Sequence, residues 1–267
     1  MRFKICLIFL FVLAVIYSCG IKKEIIPKYH FEIGKELIYD LKGQADVFVD
    51  MGLFTYNSKA NIGAKLIFTP IETNEYGYKV RLDVKDPAVE GLTNQFQAAY
   101  FIGLNSIRKL LSEFYIDEYG KTKVFFNEKQ IDYLSYALNI FFGELSPLGA
   151  SFSTNIPGWV MKIPVMSKYS EERYVKQNKG KVLIIFQSAN LISYEKEEFE
   201  KSVEPKPLGN ASYEADSSLD LLRGEITYKD IKFNVKYNIP VKQGFITTYI
   251  RIECKGNIKL MNSGLEI

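Results

Sequence analysis

Histidine is almost missing from this chain: His30 is the only one in 267 residues, and tryptophan is single too, at Trp159. One imidazole leaves no ordinary serine–histidine or cysteine–histidine pair, and no His/Cys cluster has the spacing of a zinc site. Neither a Gly-x-Gly-x-x-Gly turn nor a Walker loop occurs, so the usual phosphate cradles are excluded. An excess of one charge is lacking as well. The 34 basic residues face 31 acidic ones, and no basic patch dominates, which argues against a nucleic-acid partner held by phosphate neutralisation. Asp83, Asp86 and Glu90 are close in sequence, and a carboxylate pair can serve a glycosidase, but carboxylates are abundant on any exposed strand face. Asp216-Ser217-Ser218-Leu219-Asp220 lacks the glycine and terminal glutamate of a calcium loop. No catalytic residue, cofactor or metal site is expected, and the chain reads as non-enzymatic.

Long apolar runs are confined to the start. Arg2 and Lys4 precede an unbroken apolar stretch from Ile5 to Ile16, and Ile16-Tyr17-Ser18-Cys19 follows. The stretch is shorter than the ~20 residues a membrane span needs. Basic start, short apolar core, small residue and cysteine together resemble a bacterial lipoprotein signal. The plain alternative is a cleaved secretory signal in which Cys19 is incidental. The resemblance implies that residues 1–18 are removed, that the Cys19 sulfur carries a diacylglycerol, and that the new amino terminus is acylated. Burial is worth ~0.8 kcal/mol per methylene, so two or more chains hold where one would not. Residues 19–30 then form a tether. Gly20 is not the aspartate that retains lipoproteins at the inner membrane of well-studied Gram-negative cells, so an outer-membrane address in the cell envelope is expected. Cys6 leaves with the signal and Cys19 is blocked, so Cys254 remains as the one free thiol and a disulfide framework is excluded. It lies on the apolar side of a strand and reads as a small buried hydrophobe.

The folded part, 31–267, is expected to be a single β-rich domain. From Leu37 to Met51 the apolar residues fall on odd positions, with Glu36, Asp40, Lys42, Gln44, Asp46 and Asp50 on the even ones and only Ile38 and Phe48 breaking the alternation. Period two puts one set on each face of a sheet, and Gly43 offers a bulge midway. Ala60–Pro70 and Tyr78–Lys85 are further strands, with Asp86-Pro87 ending the latter. Strands are expected at 162–167, 174–176 and 182–188. Residues 231–239 and 246–254 alternate cleanly around a turn at Pro240–Gly244, which predicts a long hairpin. Clean alternation of apolar and charged residues indicates antiparallel pairing with one face in water. The charged stretch from Glu195 to Asn210 reads as a surface loop. Pro157-Gly158-Trp159 reads as a turn into a strand whose indole covers the core edge; an exposed indole touching glycan or lipid headgroups is the alternative.

Between about 94 and 148 the period changes to three and four. One or two helices are expected over 94–114, broken at Gly103, then a hairpin turning at Tyr119-Gly120. A second helix is expected with Asn127 as N-cap and Ile131, Leu134, Leu138, Phe141 and Leu145 on one face. This insert concentrates the aromatics. Phe96, Tyr100, Phe114, Tyr133, Tyr136 and Phe141 are candidates to line an apolar cavity; the simpler reading is that they fill the space between sheet and helices.

An antiparallel sheet flanking a helical insert on a lipid-anchored bacterial protein is similar in outline to the LolA/LolB-like lipoprotein carriers. The similarity is architectural, covers about 31–260, and carries no binding residue across. The expected fold is thus mainly β (α+β): a large curved antiparallel sheet or half-barrel with long strands and two or three central helices. The resemblance implies a membrane-anchored, non-enzymatic carrier or binding module for a hydrophobic ligand such as lipid. The alternative is a structural or assembly lipoprotein that binds another envelope protein.

Overall fold

The computed structural model describes residues 27–264 except 144, 146–147, 150, 161–162 and 244–245, and omits a few side chains within the helices and strands, Tyr133 among them. In chain order the elements are β1 (Leu37–Asp50), β2 (Thr55–Asn74), β3 (Gly77–Glu90), α1 (Asn94–Leu110), β4 (Glu113–Ile116), β5 (Thr122–Lys123), β6 (Phe125–Phe126) and β7 (Lys129–Gln130). They continue with α2 (Asp132–Leu138), β8 (Ser151–Val160), β9 (Ile163–Asn178), β10 (Val182–Glu195), α3 (Lys196–Lys201), β11 (Pro207–Asp220), β12 (Glu225–Gln243) and β13 (Ile246–Asn262).

Eleven strands make one curved antiparallel sheet in the order β5-β4-β3-β2-β1-β13-β12-β11-β10-β9-β8, and β6 with β7 makes a separate ribbon. The chain therefore enters mid-sheet, meanders to one edge, crosses to the other through the helical stretch, and meanders back until β13 closes on β1. Because β5 and β8 remain edges, the sheet is an open half-barrel. The chain enters β1 at what is here called the near end; the β1–β2 and β12–β13 turns lie at the far end.

The long strands follow from the alternation. Leu37, Tyr39 and Leu41 of β1 share the concave face with Leu66 and Phe68 of β2, Leu260 of β13 and Ile231 of β12. In the near half these side chains pack against the crossing stretch, which supplies Leu134, Leu138, Phe142 and Leu145. Phe114, Ile116, Leu138, Leu219 and Ile231 are essentially inaccessible, each worth ~1.5–3 kcal/mol on burial. Strand β1 stays in register with both neighbours through Gly43, so no bulge forms there. A Cβ on Gly43 would instead meet the Asn257 carbonyl at 2.8 Å, so β1 and β13 approach too closely for a side chain.

Several local expectations need correction. Tyr29 and Phe31 are buried core residues, so the packed part of the chain begins before residue 31, where the folded domain was expected to start. Pro87 does not end β3. The strand runs to Glu90 through a bulge at Asp86 (φ 49), where the register with β2 shifts. Strand β4 covers β3 only from Tyr78 to Arg81, so the proline sits beside an edge where no ladder donor is needed. Helix α1 is unbroken at Gly103 and stops at Leu110, which leaves Phe114 on a strand. Asn127 is not an N-cap. With Glu128 it forms the positive-φ pair (φ 48 and 65) of the β6–β7 turn, the geometry of a two-residue hairpin. Helix α2 starts at Asp132 and ends at Leu138, well short of Leu145. Strands β8 and β11 lie where a turn and a loop with an acidic run were read, and β9 is one strand of 16 residues rather than two.

Candidate functional site

The concave face has two zones with different chemistry. In the near half, on β9, β10 and β12, the alternation places Glu171, Arg173, Gln187 and Lys229 inward, all nearly inaccessible to solvent. They meet the stretch that follows α2. The Lys229 ammonium donates to the Phe141 carbonyl (3.3 Å) and to Gln187 Oε1 (3.0 Å). The Gln187 amide nitrogen, with two hydrogens to donate, lies within hydrogen-bond distance of the Asn139 carbonyl (3.2 Å), Glu171 Oε1 (2.7 Å) and the Tyr213 hydroxyl (2.8 Å). Glu171 also accepts from Tyr169 (2.6 Å) and pairs with Arg173 at 3.2 Å. From the other side the Tyr29 hydroxyl donates to the carbonyls of Phe142 and Gly143. Carbonyls beyond a helix end have no partner within the helix; four of them are satisfied here by side chains of the sheet and the N-terminal segment.

Burial governs the protonation of these groups. It pulls the Lys229 ammonium down to about 7, against which Glu171 acts in the opposite direction. Burial pushes the Tyr29, Tyr169 and Tyr213 hydroxyls well above the phenol range. The zone is closed. The void lined by Tyr29, Phe142, Arg173, Gln187 and Ser217 has a volume of about 10 Å³, enough for a single water at most. The network therefore positions the crossing stretch and offers no room for a substrate.

The far half is different. Val47, Phe233, Val235, Tyr237, Ile252 and Cys254 share the concave face by register and are only half-buried, whereas Val49 and Ile239 beside them are buried. Over this half lies α1, joined to β2 by stacking of Phe96 on Tyr56 (centroids 4.1 Å apart). Phe96, Tyr100, Phe101 and Leu104 of α1 are also only half-buried. Apolar surfaces on the helix and on the sheet are thus both incompletely covered. Burial raises the Tyr100 hydroxyl and the Cys254 thiol, so neither is ionised near neutrality.

The described candidate aromatics do not gather around one space. Phe96 and Tyr100 belong to the far zone. Phe114 is packed solid against Phe68 and Phe142 in the core. Phe141 flanks that core. Tyr136 packs on Tyr169 and Phe152 in a smaller cluster with Ile156 and Ala189. Tyr133 and Cys19 lie outside the described residues. Trp159 is 69% exposed on edge strand β8, so it does not cover the core edge as expected. Two open grooves, of about 480 and 760 Å³, are lined mostly by short polar and charged side chains of the convex face, such as Ser170, Ser188, Ser212, Asn234 and Lys255. Among the described residues no cluster could hold a metal ion, and no helix is long and apolar enough to cross a membrane.

The buried polar network is absent from the sequence reading. Its one sequence signal was Gln187 interrupting Val182–Phe186, an apolar run on both faces.

No protein-family profile matches the chain, and no curated protein sequence matches it. Among solved structures, one described as "Lipid-protein interactions in lipovitellin" superposes with a TM-score of 0.40 at 11% identity. The match covers 87% of this chain and 25% of that one, so the present chain corresponds to about a quarter of that protein's length. Likeness of this degree supports neither a fold assignment nor a ligand.

Proposed function

We propose that this protein is an exported, lipid-anchored carrier that holds an apolar ligand, such as an acyl chain, between α1 and the far half of the concave face. One observation carries the reading: the incomplete burial of apolar residues on both sides of that interface, beside a near half packed to the density of a core. Apolar surface left uncovered inside a fold is unfavourable in water by ~25 cal/mol per Å², and an apolar ligand removes that cost. The inward hydroxyls of the far zone, Ser167, Ser193 and Tyr237, bond to one another, so chain length and shape rather than hydrogen bonding select the ligand.

The ligand is tested by lipid extraction and mass spectrometry of the purified protein, with near-stoichiometric lipid expected. Protein that purifies lipid-free and binds no fatty acid contradicts the reading. The anchor has a separate test. Cys19→Ala is expected to release the protein from the membrane fraction, and unchanged attachment rules the anchor out.

A further inference from the structure

The most exposed apolar side chains are concentrated at one end of the sheet. Leu53 (92% exposed) and Phe54 (70%) occupy the β1–β2 turn beside Met51. Val203, fully exposed, lies between β10 and β11, Trp159 stands where β8 turns into β9, and the half-exposed Tyr249 stands near the β12–β13 turn. The register places all of these turns at the far end. The near end, where the described chain begins, carries Leu222 (73% exposed) together with Ile33, Tyr76, Tyr174, Val175 and Met261, all but Leu222 at about half exposure or less, so four of the five most exposed apolar side chains stand at the far end.

We propose that this far rim docks on a lipid bilayer, inserting the Met51–Phe54 turn and seating Trp159 and Tyr249 at the headgroup level. The residue types and their arrangement favour a bilayer over a protein partner. The apolar groups stand on separate turns spread along the rim from the β1–β2 turn to β8. Leucine and phenylalanine suit the acyl region, whereas tryptophan and tyrosine suit the interface. Charges beside the turn are mixed, with Arg251 bonded to Glu253 and placed over Phe48. Attachment is therefore apolar and does not need anionic lipid. The rim also borders the half-covered zone under α1, so docking would bring acyl chains to the mouth of that zone. Only this last step rests on the carrier reading; docking itself does not.

The native tryptophan is the probe, since Trp159 is the only one. Full-length protein carrying Cys19→Ala, so that no acyl anchor holds it to lipid, is mixed with phosphatidylcholine vesicles whose acyl chains are brominated. The emission of Trp159 should shift to the blue and be quenched, with little change between low and high salt. A Leu53→Glu/Phe54→Glu double variant should weaken partitioning at least tenfold. Leu222→Glu, an equally polar change at the other end, should leave it unaltered. Three results would overturn the proposal: unquenched Trp159 in vesicle-bound protein, equal losses from the two ends, or a concentration-dependent blue shift without vesicles, which would mean that the rim meets a second copy. Lipid-free but vesicle-quenched protein would refute the carrier reading and leave docking intact.

Discussion

Lys229 is buried at an electrostatic cost, because its ammonium is fully inaccessible and its nearest acceptors are the neutral Gln187 amide and a backbone carbonyl. Its folded pKa of about 7 lies below the ordinary 10.5. Between those values the unfolded chain binds more protons than the folded one, so stability must rise with pH across that interval. Below about 7 both states are protonated and the contribution is flat. Above 10 the sign reverses, since unfolded tyrosines ionise while the buried Tyr29 and Tyr213 hydroxyls stay protonated. Denaturant titrations from pH 7 to 10 should show a gain on the order of a few kcal/mol. Lys229→Met should remove that slope while leaving the alkaline fall. A variant that keeps the slope would show that another group produces it.

At the scale of elements, the stretch after α2 is held by bonds rather than by regular structure. Leu145 N–H donates to the Tyr119 carbonyl and Gly149 N–H to the Arg173 carbonyl, in addition to the side-chain donors already described. Tyr29→Phe removes a hydroxyl that serves two buried carbonyls while keeping the ring. A cost of ~1–3 kcal/mol is expected, with faster amide exchange confined to residues 138–149. Exchange that accelerates uniformly over the sheet would refute the idea of a local clasp. Gly120 belongs to the same clasp: it has φ 87, and a Cβ there would meet the Gly143 carbonyl at 2.3 Å. Gly120→Ala should therefore destabilise by more than Tyr29→Phe, through both strain and clash.

The same elements explain what could be read in advance. Strand β1 and the β12–β13 hairpin were legible because their inward positions are apolar over most of their length and their outward positions polar. Strand β9 was not, because Ser167, Glu171 and Arg173 point inward and Val175 is exposed. Its burial depends on partners from β10 and from a stretch some 30 residues earlier, which no local pattern records. The early end of α2 was hidden for the same reason: Phe141 and Phe142 continue the apolar pattern of the helix, while the distant Lys229 and Tyr29 side chains take their carbonyls. Phe96 and Tyr100 were legible as apolar helix positions, and where they sit over the sheet was not.

For the whole molecule, the meander gives the two ends of the half-barrel different tasks. Strand β1, with 14 residues, spans about 45 Å between a near end closed by the crossing stretch and a far end fringed with exposed apolar turns. A closed end fixes the curvature; an incompletely packed end leaves room for something else. Val47 lies on the concave face of that second zone, half-buried. Replacing it with tryptophan fills free space if a ligand normally occupies it, and overpacks a core if none does. The decisive measurement is therefore the affinity of full-length protein for a fluorescent fatty acid, compared between native protein and Val47→Trp. The account predicts saturable binding by the native chain and at least a tenfold loss in the variant, with its unfolding midpoint unchanged. An absence of saturable binding, or equal affinity in a variant that unfolds more readily, would contradict it.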